Sequence, residues 1–94
     1  SLFSMENEIL ISLAGQDVET NFLLIKEFSI DKMFLLHDSN DAKQAKDFSQ
    51  EMNKFGITPS LIKLNNYSLE EIFKTINLLS KGEKNASSKL RHMS

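Results

Sequence analysis

An apolar run that stops at a small polar loop and resumes with helical spacing is the feature that most constrains the fold. Residues 9–13, Ile-Leu-Ile-Ser-Leu, are continuous rather than alternating, which is typical of a parallel strand covered on both faces. Ala14–Gly15 gives the backbone room to turn, and Gln16 or Asp17 can cap a helix that begins near Val18. Open α/β sheets bind ligands at such strand-to-helix loops, so this loop is the first candidate site.

The succession of strand and helix occurs three times, in units of roughly 25 residues, a length suited to βα units of a parallel sheet. The second strand is predicted at Met33–His37, and the third at Ser60–Leu64 after Pro59. The helix between them is predicted over about Asp41 to Phe55, with Gly56 as its C-terminal stop. Right-handed crossovers then allow the strand order 3-2-1 of a Rossmann half or a flavodoxin-like 2-1-3. The pattern predicts a three-layer α/β sandwich with a Rossmann-like (βα)3 parallel sheet.

All three predicted helices carry apolar side chains at helical spacing, which we expect to pack on the sheet. The third has the clearest start, because Ser68-Leu-Glu-Glu71 reads as a capping box and Tyr67 can staple onto Ile72. The residues expected to be buried are Val18, Phe22, Leu24, Ile25 and Phe28 in the first helix, Ala42, Ala45, Phe48, Met52 and Phe55 in the second, and Leu69, Ile72, Phe73, Ile76 and Leu79 in the third.

The length of 94 residues allows one small domain, which we place at residues 5–80. Residues 1–4 precede Met5, which we interpret as the natural start, so they are expected to be cloning additions or disordered. Residues 81–94 are polar without an apolar period and are predicted to be a disordered tail. In the arrangement 3-2-1, the first strand would keep a bare edge.

Composition excludes some functions. A formal net charge of −2 gives no general attraction to DNA or anionic lipid. The absence of cysteine rules out disulfides and fits a reducing compartment. No apolar run approaches the roughly 20 residues that cross a bilayer, so we expect a cytoplasmic protein without membrane contact.

Candidate ligand-binding residues lie in the loops that follow the first two strands. Backbone N–H groups at a helix N-terminus attract phosphate, and Gly15 lets a ligand approach the backbone. Asp17 and Glu19 oppose an anion because they add negative charge to the same turn. Alternatively, the polar side chains only cap and solvate the turn. The candidates are Ser12, Ala14, Gly15, Gln16, Asp17, Thr20, Asn21, His37 and Ser39.

Catalytic and metal chemistry have less support. His37 and Asp38 are neighbours on a strand and point to opposite faces, so they are poorly placed to share a proton. Capping of the second helix by Ser39 or Asn40 is the simpler interpretation. The other histidine, His92, lies in the tail, so no metal is assigned. Without a Gly-x-Gly-x-x-Gly or Walker loop, no cofactor is expected.

A family resemblance adds to this interpretation. The segments Ile-Leu-Ile-Ser-Leu-Ala-Gly-Gln-Asp-Val-Glu-Thr-Asn (9–21), Asp-Lys-Met-Phe-Leu-Leu-His-Asp-Ser (31–39) and Ala-Lys-Gln-Ala-Lys (42–46) resemble the start of a CRISPR-associated Rossmann fold (CARF) domain. The resemblance covers about residues 7–80. It implies a homodimeric sensor of type III CRISPR defence that binds cyclic oligoadenylate across its two-fold axis. The family uses the loop after strand one, matched here by Leu13–Asn21, and a Gly-rich basic loop after strand four, which has no counterpart in this sequence.

Two other functions remain open at this point. A ring nuclease would degrade the same messenger, but the basic residues nearest in sequence, Lys26 and Lys32, fall away from the expected edge, so no catalytic residue is assigned. An interaction module would pair with itself or with another chain through the bare strand edge.

Overall fold

The computed structural model describes residues 3–6, 9–15 and 17–93, with side chains described for 9–15 and 17–82. Its four strands form one sheet in the order β1-β2-β3-β4, in which β2, β3 and β4 are parallel and β1 is antiparallel to β2. The fold is α/β with a Rossmann-like parallel sheet, and the three predicted strands take the order 3-2-1, one of the two orders that the sequence left open. The elements are β1 (Phe3–Glu6), β2 (Ile9–Leu13), α1 (Val18–Glu27), β3 (Lys32–His37), α2 (Ala42–Asn53), β4 (Ser60–Lys63) and α3 (Leu69–Met93).

The apolar runs form the centre of the sheet because both of its faces are covered. Leu10, Met33 and Leu35 belong to the cluster that contains Phe48 and Met52 of α2. The alternate positions Ile9, Ile11, Phe34 and Leu36 belong to the cluster that contains Ile72 of α3. Helices α1 and α2 therefore lie on one face and α3 on the other, which makes the predicted three layers.

Two of the predicted helix boundaries follow from local chemistry. Asp17 is the N-cap of α1, and its carboxylate accepts a hydrogen bond from the Thr20 N–H at 3.3 Å. Gly56 follows α2 with a φ of +89°, a backbone conformation that disfavours residues with a Cβ. The cap at Asp17 is confirmed. Gly56 does follow α2, but the helix ends at Asn53, two residues before the predicted Phe55.

The capping box of α3 is formed only in part. The Ser68 Oγ accepts the Glu71 N–H at 3.2 Å, as predicted. The Glu71 carboxylate instead accepts the N–H groups of Asn65 at 2.9 Å and Asn66 at 3.3 Å. Glu71 thereby connects the first turn of α3 to the loop that precedes it.

The edge of β2 that was predicted to be bare is paired with β1, with Phe3 opposite Ser12 and Glu6 opposite Ile9. Residues 3 and 4, assigned from sequence to a cloning addition or a disordered start, lie in this strand. Phe3 and Met5 alternate with Ser4 and Glu6, but an alternation over four residues is a weak strand signal on its own. Helix α3 likewise continues to Met93, through the segment assigned to a polar tail, and the mobility of that segment in solution stays a prediction.

Some apolar side chains expected to be buried are exposed instead. Ile72, Ile76 and Leu79 pack in the cluster on the α3 face, whereas Leu69 is 64% and Phe73 57% exposed. A helix on a sheet buries one stripe, and these two positions lie beside it. The other exposed members of the predicted set are Phe28, Ala42 and Phe55.

Within the described part of the chain, no helix combines the length and apolar character needed to cross a membrane.

Candidate functional site at the carboxyl edge of the sheet

Three loops meet where the parallel strands end, at what we call the carboxyl edge. They follow β2 (residues 14–17), β3 (residues 38–41) and β4 (residues 64–68). The strand registers bring them together, since Leu13 lies opposite Leu36 and His37 opposite Lys63. Ligands of open parallel sheets bind at this kind of edge.

The turn after β2 leaves room over its backbone. Gly15 has a φ of +93°, and a Cβ built there would meet no atom within 4 Å. The Ala14 N–H donates to the Leu36 carbonyl at 2.8 Å, which fixes the start of the turn against β3. Gln16 lies outside the described residues, so its predicted ligand contact stays a prediction.

Two predicted ligand residues support this turn from inside. Ser12 is 1% and Asn21 2% exposed. The Ser12 Oγ donates to the Asn21 Oδ1 at 2.9 Å, and the Asn21 Nδ2 donates to the Asp17 carbonyl at 2.8 Å. In this arrangement both side chains tie β2 to the start of α1, and a ligand outside the loop does not reach them.

Asp17 and Thr20 are also paired with each other. The Thr20 hydroxyl donates to the Asp17 carboxylate at 2.9 Å, in addition to the cap bond from its N–H. Together with Glu19 in the first turn of α1, Asp17 makes this helix start acidic. The turn can therefore offer a phosphate backbone N–H groups but little net positive charge.

The loop after β3 is organised by Asp38, which corrects the predicted capping of α2 by Ser39 or Asn40. The Asp38 Oδ1 accepts the N–H groups of Asn40 at 2.9 Å and Asp41 at 3.1 Å. Asp41 is the N-cap of α2 and makes no side-chain cap bond. Asp38 therefore forms the turn before α2 with its own side chain, by bonding the backbone two and three residues ahead. Ser39, in the middle of this turn, is exposed.

His37 is placed as a structural residue. It is 7% exposed, and its Nδ1 lies 2.9 Å from the Asp38 carbonyl oxygen. The contact is with the Asp38 backbone and does not involve its carboxylate. No shared proton between His37 and the Asp38 side chain follows from this geometry.

Tyr67 contributes to the edge in a way that the sequence interpretation missed. Its hydroxyl donates to the Asp41 carboxylate and accepts the Asp38 N–H at 3.1 Å. The pKa of Tyr67 is raised to about 12, mainly by burial and by the bond to Asp41. The hydrogen bond from the Asp38 N–H lowers this pKa, whereas the negative charges of Asp41 and Asp38 raise it further. The usable sequence signal was a hydroxyl-bearing aromatic residue directly after the third parallel strand.

Lys63 is a second residue that the sequence interpretation missed. It ends β4, lies opposite His37 and is exposed. Its position brings a positive charge to the edge, whereas Lys32 begins β3 at the opposite edge. The predicted strand Ser60–Leu64 already places Lys63 near this edge, so its position in that strand was the usable sequence signal.

The edge carries the chemistry of hydrogen bonding rather than that of a metal centre. Among the described residues, no group of three His, Asp or Glu side chains is arranged to hold a metal ion. No family model matches the chain, and no curated protein or solved structure matches it. The function is therefore inferred from the carboxyl edge together with the sequence resemblance.

Proposed function

We propose that this chain is a ligand-sensing regulatory domain that binds a cyclic oligoadenylate second messenger at its carboxyl edge, as a homodimer, in CRISPR antiviral defence. The resemblance of about residues 7–80 to the start of a CARF domain supports the choice of ligand. The strand order 3-2-1 and the loop that opens at the end of β2 agree with that resemblance.

The observation that carries the proposal is the turn at Gly15. Its positive φ and the open space above it let a ligand approach the backbone at the start of α1. Close approach gives a phosphate access to peptide N–H groups without any charged side chain. Exposed Lys63 lies on the same edge, at the end of β4, and adds one cation to this side of the sheet.

The acidic side chains of the edge are compatible with such a ligand because protein donors occupy them. Asp17 accepts from Thr20, Asp38 accepts two backbone N–H groups, and Asp41 accepts from Tyr67. Hydrogen bonds from these neutral donors fix the direction of each carboxylate, while its negative charge remains. Exposed Ser39 and Asn40 are then available for the neutral donors and acceptors of adenine and ribose.

The test compares alanine variants of two glycines that share a positive φ but lie at different places in the fold. Gly15→Ala and Gly56→Ala each place a Cβ at a positive φ with free space around it, so each should lower the free energy of unfolding by about 1–2 kcal/mol. Only Gly15 lies at the carboxyl edge. Calorimetric titration should show weaker cyclic oligoadenylate binding for Gly15→Ala and unchanged binding for Gly56→Ala. Equal affinities in the two variants would contradict the site.

An interaction module is the second candidate, favoured by one observation. Large apolar side chains are exposed on two helices, with Leu23 and Phe28 on the α1 side and Leu69 and Phe73 on α3. Such residues gain free energy when a partner covers them. A chain that binds none of the cyclic adenylates but associates through these helices would fit this second function.

A further inference from the structure

A single hydroxyl group ties together two of the three loops at the carboxyl edge. Tyr67, in the loop after β4, reaches two groups of the loop after β3, which are 26 and 29 residues away in sequence. It donates to the Asp41 carboxylate and accepts the Asp38 N–H, so both hydrogen-bonding functions of the hydroxyl are used. A group with this geometry fixes the separation of the two loops as well as their orientation.

The loop after β3 is held as one unit behind this contact. The Asp38 carboxylate accepts the N–H groups of Asn40 and Asp41, while Tyr67 bonds the Asp38 N–H and the Asp41 side chain. The backbone from Asp38 to Asp41 is therefore bonded at both ends. A displacement of this loop would have to break or carry along the bond to Tyr67.

On its other side Tyr67 adjoins the start of α3. Ser68 is the next residue, and its hydroxyl accepts the Glu71 N–H. The Glu71 carboxylate holds the N–H groups of Asn65 and Asn66. The loop after β4 and the first turn of α3 thus form one hydrogen-bonded unit that contains Tyr67.

We infer that Tyr67 is a positioning residue, whose hydroxyl holds the loop after β3 in place for the ligand against the hydrogen-bonded unit formed by the loop after β4 and the first turn of α3. This inference rests on the proposed function. A tyrosine hydroxyl is protonated at neutral pH even at its ordinary pKa of 10.0, and the pKa of Tyr67 is higher still, so the donor to Asp41 is present. Charged groups around the hydroxyl are Asp38 and Asp41, with Glu71 engaged by the backbone of residues 65 and 66.

The composition of the chain supplies a direct probe. Tyr67 is the only tyrosine in the sequence, so ring-labelled tyrosine gives the signals of one residue in a nuclear magnetic resonance spectrum. Cyclic tri-, tetra- and hexa-adenylate are added in turn to the full chain. A ligand that engages the loop after β3 should shift the Tyr67 ring signals, although the ligand is not required to touch the ring.

Variants separate positioning from mere stability. Tyr67→Phe removes the hydroxyl and keeps the ring, and it should weaken ligand binding by about tenfold, the effect of losing one well-placed hydrogen bond. Thr58→Val is the matched control, since it removes a hydroxyl bonded at 2.9 Å to the Asn53 side chain in the loop before β4. Asp41→Asn keeps an acceptor for Tyr67 and should bind better than Asp41→Ala. Circular dichroism melting confirms that each variant is folded.

The outcomes distinguish the inference from the proposed function. Weaker binding by Tyr67→Phe, partial rescue in Asp41→Asn and a ligand-dependent shift of the Tyr67 signals would support the inference. A folded Tyr67→Phe variant that binds the ligand with the wild-type affinity would overturn the inference and leave the proposed function standing. No binding of any ring by the wild-type chain would overturn both.

Discussion

At the residue scale, the carboxyl edge consists largely of side chains bonded to one another. Ser12 and Asn21 are buried and satisfy each other, and Asp17 and Thr20 form a second pair. No buried side-chain polar atom of the described residues lacks a hydrogen-bond partner. Since an unsatisfied buried polar group costs about 1–3 kcal/mol, these pairs stabilise the turn at Gly15 and leave its backbone as the accessible part.

The ionisation of Tyr67 gives a prediction at this scale. Its pKa is raised from 10.0 to about 12, so the folded state holds the hydroxyl proton more tightly than the unfolded chain does. The resulting stabilisation is fully present below pH 10 and is lost as the pH rises through about 12. Tyrosinate absorbance, followed during an alkaline titration, measures this pKa directly.

Variants of two aspartates separate the causes of that shift. Asp41→Asn should lower the pKa of Tyr67, because the carboxylate that favours the neutral hydroxyl is removed, while burial, the largest cause, keeps the pKa above its usual value. Asp47→Asn, an exposed position on α2, is the control and should leave the titration unchanged. The same titration midpoint in wild type and Asp41→Asn would show that the bond to Asp41 has no influence.

At the scale of elements, α1 is followed by a residue in a strained backbone conformation. Ser29 follows the C-cap residue Phe28 and has a φ of +52°, while the Ile30 N–H donates to the Ile25 carbonyl at 2.9 Å. Helices often end with such a left-handed residue, which glycine adopts without a steric penalty. Serine at this position therefore costs stability that glycine would restore.

Replacing serine by glycine at two positions tests this reasoning, because the expected changes in the free energy of unfolding have opposite signs. Ser29→Gly should raise the free energy of unfolding by about 0.5–1 kcal/mol, because the left-handed conformation suits glycine. Ser49→Gly lies inside α2 and should lower it by about 0.5 kcal/mol through helix propensity. Chemical denaturation of both variants gives the two values. Destabilisation in both would mean that the strain at Ser29 is negligible.

Elements with a continuous or periodic apolar pattern could be predicted, and those decided by distant partners could not. The strands at residues 9–13 and 33–37, the Asp17 cap and the Gly56 stop follow from local chemistry and were predicted. Strand β1 was missed for a different reason: residues 1–4 were assigned to an addition or a disordered start, although the strand pairs with the one that follows it directly. The bonds from Tyr67 to residues 38 and 41 were missed because only the folded sheet brings those loops together.

At the scale of the whole molecule, exposed apolar side chains are the reason to expect association, because the strand edge that was predicted to be bare is paired with β1. Leu23, Phe28, Leu69 and Phe73 are each more than half exposed. Burial of apolar surface stabilises a complex by roughly 25 cal/mol per Å² before the costs of association. A small domain with such side chains should be more stable when a second copy covers those of α1 or those of α3, which lie on opposite faces of the sheet.

Sedimentation tests this expectation. The 10.7 kDa chain should form dimers or larger species as its concentration rises, with a melting temperature that increases in parallel. A Leu69→Gln, Phe73→Gln double variant should shift the equilibrium toward monomer if α3 makes the contact, while a Leu23→Gln, Phe28→Gln variant reports on α1. Monomeric wild-type protein at high micromolar concentration would contradict the expected homodimer.

The most direct test of the central claim, that the carboxyl edge senses a cyclic oligoadenylate, is a calorimetric titration of the wild-type chain. Cyclic tri-, tetra- and hexa-adenylate are added separately, with linear tri-adenylate as the control for non-specific phosphate contacts. The proposed function predicts saturable heat with one ring, at one ligand per two chains, and no saturable heat with the linear control. Absence of binding by all three rings, at concentrations where the chain is dimeric, would contradict it.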